Sequence, residues 1–317
     1  RTTHAWDSFV GAQPRACERG TSMDYYVAWT HSDPVYQNYL PGARVLVGPP
    51  NVNLAWRASV WQKPPAALII DSGAYQYYRA GKSPTPDLVL ARQLHMVAGM
   101  SMPVAICHLD VPLIGARSVA ERAMRIRQNL QNARWLTHHT RELPQGVQPI
   151  GVIQGDSVES IYESARSLAD MGYQSFALGS LARIVAGARI ELLRRVEAAL
   201  EAIGDCLHIL GVSSAAIIPE LARIGVQSFD SGAPAHEAWR GGIIYSTPYR
   251  RYKIASPHFR EWARSYGFAE ILNEPLPCDC PVCCEDSSRL LRIPGKLFVN
   301  LRAIHNCYHL MRVAAGL

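Results

Sequence analysis

Short β-branched and apolar runs alternate along the chain with longer stretches in which apolar residues recur at three- and four-residue spacing. Tyr25 to Trp29, Arg44 to Val47, Ala67 to Ile70, Val104 to Leu109, Ile150 to Ile153, Ser175 to Leu178, Leu207 to Leu210 and Val226 to Phe229 read as eight strands. Helical spacing is clearest at Val119 to Leu136, Val158 to Met171, Ile190 to Ile203 and Ala215 to Ile224. Strand alternating with helix predicts a parallel sheet covered on both faces. Eight strands, most followed by a helix, predict an α/β fold of the (β/α)8 TIM-barrel type, with an open doubly wound sheet as the competitor. No Gly-rich nucleotide fingerprint follows the first strand, which favours the barrel. Past residue 245 the pattern changes. Tyr249 to Lys253 is aromatic and basic, Pro275 to Pro281 is rich in Pro and Cys, and a helix is predicted over Asn300 to Arg312. The expected organisation is a barrel domain over 1–245 and a C-terminal subdomain over 246–317.

Composition narrows the class. With 317 residues, 48% hydrophobic and 18% charged, the chain has material for a large core, which excludes disorder, collagen and coiled coil. Apolar runs such as Ala66 to Ile70 fall far short of the ~20 residues that cross a bilayer, and the first thirty residues hold no signal-peptide block, so no membrane partner is expected. A start at Arg1 in place of Met is expected of numbering that begins inside a longer product or after processing. The net charge of +6 permits a polyanionic partner without requiring one.

Four of the eight cysteines fall between Cys278 and Cys284 while the rest are scattered, the pattern of a metal site in a reducing compartment and not of a disulfide framework. A cytoplasmic location is expected. In Cys278-Asp279-Cys280-Pro281-Val282-Cys283 three thiolates can wrap one ion, and His305 can supply a fourth ligand for tetrahedral Zn2+. Four protein ligands leave no open position, so this zinc is expected to be structural. Cys284 and His309 are the spare candidates.

The residues that end the strands carry the remaining chemistry, because the active site of a parallel barrel lies where strands give way to loops. Asp71 ends one strand in Asp71-Ser72-Gly73, Asp230 another in Asp230-Ser231-Gly232, Asp110 a third and Gln154 a fourth, while Gly179 and Gly211 end two more. Each alone is also a common turn former or helix N-cap. Together, converging carboxylates suit chemistry at an anomeric carbon, one attacking or stabilising the oxocarbenium-like centre and another moving the leaving group's proton. Metal binding by the acids is the rival. It would call on His31 or His108, and the period-2 alternation of a strand would put His108 on the face of Asp110. Tyr75 stands four residues after Asp71, where it could stack on a flat heterocycle. Arg250, Arg251 and Lys253 could meet phosphates or simply face solvent.

Taken in order, these segments resemble the tRNA-guanine transglycosylase family over roughly Leu68 to His309. Asp71 to Gln76 is similar to the family's Asp-Ser-Gly-Gly-(Phe/Tyr)-Gln motif, and Gly151 to Gly155 to its Gly-(Ile/Val)-Val-Gln-Gly. Phe176 to Leu181 resembles the base-binding loop, Leu210 to Val212 the later strand ending in Gly-Val, and Val226 to Asp230 the nucleophile strand. Cys278, Cys280, Cys283 and His305-Asn306 resemble the zinc motif. The resemblance implies a barrel with a zinc subdomain that exchanges guanine in nucleic acid for a 7-deazaguanine. It implies Asp230 as the nucleophile on the sugar C1′ and Asp71 as general acid/base. Asp110, Gln154 and Gly179 would hold the polar edge of the base, with Ser72 and Ser180 in the same pocket and Tyr75 stacked over it.

The chain departs from the family at Ala74, which replaces a Gly, at Ser180, where the base-binding loop carries paired glycines, and at Pro234-Ala235-His236-Glu237, where the tRNA enzymes continue Pro-Thr-Arg. That combination resembles the deazapurine DNA-modification branch, which inserts a 7-cyano-7-deazaguanine type base into DNA, and DNA is the expected polymer. Exchange on tRNA is the alternative, as is a non-catalytic nucleic-acid-binding subunit. The resemblance leaves room for an accessory protein or a homodimer.

Overall fold

The computed structural model describes residues 22–51, 62–99, 101–181, 189–212, 214–255, 270–293 and 295–316. Eight parallel strands close into a barrel in chain order. They are β1 (Asp24–Ala28), β2 (Arg44–Val47), β3 (Leu68–Ile70), β4 (Val104–Cys107), β5 (Val147–Ile153), β6 (Phe176–Leu178), β7 (Leu207–Ile209) and β8 (Ser228–Ser231). Closure is made by β8 on β1, with Asp24 opposite Ser228 and Tyr26 opposite Asp230. The doubly wound alternative is thereby excluded.

Helices α1 (Ala74–Arg79), α2 (Pro86–Val97), α3 (Val119–His138), α4 (Val158–Asp170), α5 (Arg189–Ile203), α6 (Ile218–Arg223) and α7 (Ala233–Trp239) follow β3 to β8. Their starts are written locally. The Ser118 side chain accepts the Glu121 amide ahead of α3, and Ser157 forms a reciprocal capping box with Ser160 ahead of α4.

Alternation along each strand sorts the core into two layers. Val27, Val45, Ile70, Ile106, Ile153, Leu178, Ile209 and Phe229 belong to the cluster continuous with the helices. Leu46, Ile69, Cys107, Ile150, Val152 and Ala177 form a separate inner cluster with Tyr26, Ala28, Ala105 and Leu210 against it. Several inner side chains are small. They leave a cavity of about 630 Å³ opening towards the strand starts, lined among others by Asp24, Tyr26, Ala105, Gln174, His208 and Ser228.

Beyond the barrel, β9 (Gly242–Ser246) pairs antiparallel with β10 (Tyr249–Ile254), which carries β11 (Glu270–Leu272) in parallel. Residue 245, where the sequence pattern changes, lies within β9. The chain continues through α8 (Pro281–Asp286) to α9 (Lys296–Ala314). This last helix packs on α7, β9 and β1, and the Met23 amide donates to the Ala314 carbonyl across 2.8 Å. Asn306 clamps the arrangement, accepting from the Ile244 amide at 2.8 Å and donating to the carbonyls of Pro234 at 3.2 Å and Gly242 at 3.1 Å. The basic residues of Tyr249 to Lys253 do not form a phosphate-facing set. Lys253 is buried, Arg251 pairs with Glu237 at 3.2 Å, and of the three only Arg250 is exposed, because the segment is a paired strand.

Candidate active site and metal centre

The strand ends bring most of the expected side chains together. Asp71 leaves β3 at the mouth, its amide held by the Val47 carbonyl at 2.9 Å and its Oδ2 accepting from the Gly73 amide at 3.1 Å. Gly73 lies at φ +77°, and a Cβ there would stand 2.5 Å from Pro50 Cδ, so the turn that presents Asp71 needs glycine. From α2, the Gln93 amide group spans the carbonyls of Ile70, Asp71 and Cys107 at 2.8–3.3 Å, tying the ends of β3 and β4 into one platform. The sequence offered no reason to pick out Gln93, whose only mark is a polar residue on the buried face of a helix.

Asp110 is the hub of a polar pocket. Its Oδ1 accepts from the Ser72 hydroxyl at 2.6 Å and its Oδ2 from the Gln154 amide at 2.7 Å. The Ser180 hydroxyl in turn donates to Gln154 Oε1. Ser180 takes φ +60°, a left-handed conformation that favours glycine, so the serine retains the backbone shape while adding a hydroxyl that pins Gln154. Gly179 has no room for more, since a Cβ would lie 2.6 Å from Gln154 Nε2. Tyr75, on α1, is 46% exposed and open to stacking from the solvent side.

Asp71 feels both of the other acids. Burial, reinforced by the charge of Asp110 and less by that of Asp230, pushes the Asp71 carboxyl up to about 7. Burial also raises Asp110, while the bonds from Ser72 and Gln154 offset part of the effect. A carboxyl poised near neutrality can both give and take a proton at the mouth.

His108 does not join Asp110. β4 ends at Cys107, so the alternation stops before the acid, and His108 turns outward to α3. There its Nε2 lies 3.1 Å from Asn129 Oδ1 and its Nδ1 accepts from the Val152 amide at 3.1 Å. Burial lowers its pKa to about 4, which keeps the ring neutral. A different histidine reaches the site. His208 points inward from β7, with Nε2 3.2 Å from Asp230 Oδ1 and Nδ1 2.8 Å from Ser228 Oγ. The sequence marks His208 only as the lone polar side chain in Leu207-His208-Ile209; its inward phase beside Ser228 and Asp230 follows from the register of β7 on β8.

Cys278, Cys280, Cys283 and His305 offer ligand atoms within 4.8 Å of one another, the one such cluster among the described residues. The three sulfurs stand 3.8, 3.3 and 3.5 Å from His305 Nδ1. Tetrahedral zinc with thiolate and imidazole ligands puts sulfur and nitrogen about 3.5 Å apart, so the donor set and its spacing fit that ion. Burial holds the His305 pKa down, leaving the ring in the neutral form a metal requires. Neither spare candidate belongs to this cluster. Cys284 is exposed, and His309, whose Nδ1 accepts from the Ser246 amide at 3.0 Å, directs Nε2 at the Cys278 sulfur across 3.2 Å. A hydrogen bond from that nitrogen orients and stabilises the thiolate.

A family model described as queuine tRNA-ribosyltransferase matches residues 61–317. The chain is 26% identical over 246 residues to the tRNA-guanine(15) transglycosylase of Pyrobaculum aerophilum, covering 76% of this chain and 45% of that protein. It is 26% identical over 279 residues to the protein of the same name from Aeropyrum pernix, covering 81% and 49%. A shorter match, 27% over 92 residues, covers 29% of this chain and 22% of the DNA-guanine transglycosylase of Salmonella montevideo. The chain thus spans about half the length of the archaeal relatives it matches.

Proposed function

The chain belongs to the queuine tRNA-ribosyltransferase family, and from that premise we propose that it is a pentosyltransferase that exchanges guanine in DNA for a 7-deazaguanine base of the 7-cyano type. The observation that carries this reading is the convergence of Asp71, Asp110 and Asp230 on one barrel mouth around a pocket of fixed amide and hydroxyl groups. Asp230 attacks C1′ of the target nucleoside. A bond forms from its oxygen to C1′ while the C1′–N9 bond breaks, and the base leaves with its electron pair as Asp71 supplies a proton. Asp71, now ionised, then takes the proton from the incoming base, which displaces Asp230 and restores the polymer. Asp110, Gln154 and the backbone at Gly179 and Ser180 read the polar edge of the base, and Tyr75 covers its face.

DNA is favoured by the segment after the nucleophile. Where the tRNA enzymes carry Pro-Thr-Arg, this chain carries Pro234-Ala235-His236, an exposed imidazole in the arginine's place, and the next residue, Glu237, is buried and paired with Arg251, so the segment presents no guanidinium at that position. The longer matches to archaeal proteins named for tRNA favour the same exchange on tRNA. Incubation with labelled guanine, DNA oligonucleotides in single- and double-stranded form and total tRNA separates the two, with Asp230→Ala as control. Label in DNA that the control abolishes supports our reading, with the single strand preferred because a stacked guanine must first be flipped out. Label in tRNA alone overturns the choice of polymer.

Zinc in the Cys278, Cys280, Cys283 and His305 site would supply folding free energy to a segment with little core of its own. With all four positions taken by protein, it has no part in the exchange. Free thiols in this arrangement suit the cytoplasm.

The raised Asp71 carboxyl sets two pH dependences. Covalent adduct formation needs the protonated form, so its single-turnover rate is expected to be flat below about pH 7 and to fall about tenfold per unit above it. Stability runs with the same protons. The folded state holds this proton more tightly than the unfolded chain, so folding is most favoured below the ordinary carboxylate range and loses stability as pH rises through about 7. Asp71→Asn is therefore expected to abolish exchange yet raise Tm at pH 8, with little change at pH 4. Thermal scans at the two pH values check the sign.

Gly179→Ala tests the base pocket. The new methyl must displace a Gln154 amide that Asp110 and Ser180 hold in place. With the fold intact, kcat/KM for the base is expected to drop about 100-fold, as ångström-scale misplacement does.

A further inference from the structure

We infer that His208 is a positioning residue that fixes which oxygen of Asp230 attacks, an inference that rests on Asp230 being the nucleophile. The two carboxylate oxygens are not equivalent. Oδ1 accepts from the Gly211 amide at 2.9 Å and faces His208 Nε2 at 3.2 Å, whereas Oδ2 has no hydrogen bond among the described residues. An ionised carboxylate only accepts, so Nε2 carries the proton of that contact. Ser228 Oγ, 2.8 Å away, then donates to Nδ1 and holds the ring in the Nε2–H tautomer. The Tyr26 ring meets the imidazole edge-on at 5.6 Å, and both His208 and Asp230 are buried, so the pair has little freedom to rotate.

The consequence concerns where electrons are available. With Oδ1 tied by two N–H donors, rotation of the carboxylate about its Cβ–Cγ bond would break both bonds, and Oδ2 stays the oxygen free to attack. When Oδ2 bonds to C1′ and the base departs with the C1′–N9 pair, negative charge leaves the carboxylate. The Oδ1 bonds keep the resulting ester oriented for displacement by the incoming base. His208 never touches the substrate in this scheme. It acts through the geometry of Asp230 alone.

His208→Phe preserves ring size and removes the donor, while His208→Gln returns an N–H near the position of Nε2. We expect the single-turnover rate of covalent protein–polynucleotide adduct formation, read on denaturing gels with labelled polymer, to fall about 10- to 100-fold in His208→Phe, the range for losing a hydrogen bond to a charged group. In His208→Gln the rate should recover to within several-fold of the wild type, and KM for the base should be unchanged in both. Equal rates in His208→Phe and the wild type would overturn the inference. So would equally slow rates in the two variants, which would reduce His208 to packing. Asp230→Ala separates this from failure of the underlying reading: adduct persisting without Asp230, or no adduct in an actively exchanging wild type, removes the nucleophile assignment and the role of His208 with it.

Discussion

Asp230→Asn is expected to fold, to bind nucleic acid and to form no covalent adduct, with base exchange down about 10⁴-fold or more, the scale of losing a nucleophile. Asparagine is the informative replacement. Its carbonyl can take the Gly211 amide and the His208 contact that Oδ1 takes in the native protein. Its NH2 group, in place of Oδ2, has no lone pair fit to attack C1′. Alanine would remove the anchor as well, leaving the Gly211 amide and the buried His208 Nε2 without this acceptor and adding about 1–3 kcal/mol of instability to the loss of chemistry. Unchanged circular dichroism and Tm with no gel-stable adduct would therefore assign the loss to the reaction. Adduct formation at the native rate would place the nucleophile elsewhere.

The second large effect is expected at the metal centre. Purified protein should hold one zinc per chain by elemental analysis, and Cys280→Ser should lose it and lower Tm on the order of 10 °C. Structural zinc binds with ~10–16 kcal/mol of apparent free energy, comparable with the whole ~5–15 kcal/mol by which a domain is stable. Even partial loss is thus several kcal/mol, at roughly 2 °C each for a chain of this size. The effect should reach the barrel, because His305 and Asn306 are neighbours on α9, and Asn306 ties that helix to α7 and β9. Hydrogen exchange after chelation would show α7 and β9 losing protection along with α9. Protection lost at α8 alone would mean that the metal serves only its own loop.

The barrel and the cluster of three cysteines and His305 were legible from local pattern because both depend on it. Each strand is a short apolar run bounded by a polar residue, and three of the four ligands fall in a single knuckle. The candidate site was legible where strands end, since Asp71, Asp110, Gln154 and Asp230 all follow apolar runs. It was not legible where side chains meet across the barrel. His208 lies twenty residues or more from Ser228 and Asp230 in sequence, and the register of β7 on β8 decides that they touch. His108 failed for the opposite reason. Alternation holds only while the strand lasts, and β4 ends at Cys107. The basic stretch after residue 248 misled because composition cannot tell a surface loop from a strand paired on both sides, as β10 is, in which Lys253 is buried.

The closure of β8 on β1 also orders the birth of the molecule on the ribosome. β1 emerges early, but its edge stays unpaired on one side until Ser228 and the residues after it have been made, and the final helix that packs on it ends only at Ala314. Contacts of such sequence separation form slowly and leave open strand edges in the meantime. A nascent chain interrupted before β8 exposes two such edges, β1 and β7. The strand that completes the barrel is the one that carries Asp230, so no shorter intermediate can hold the acid in place.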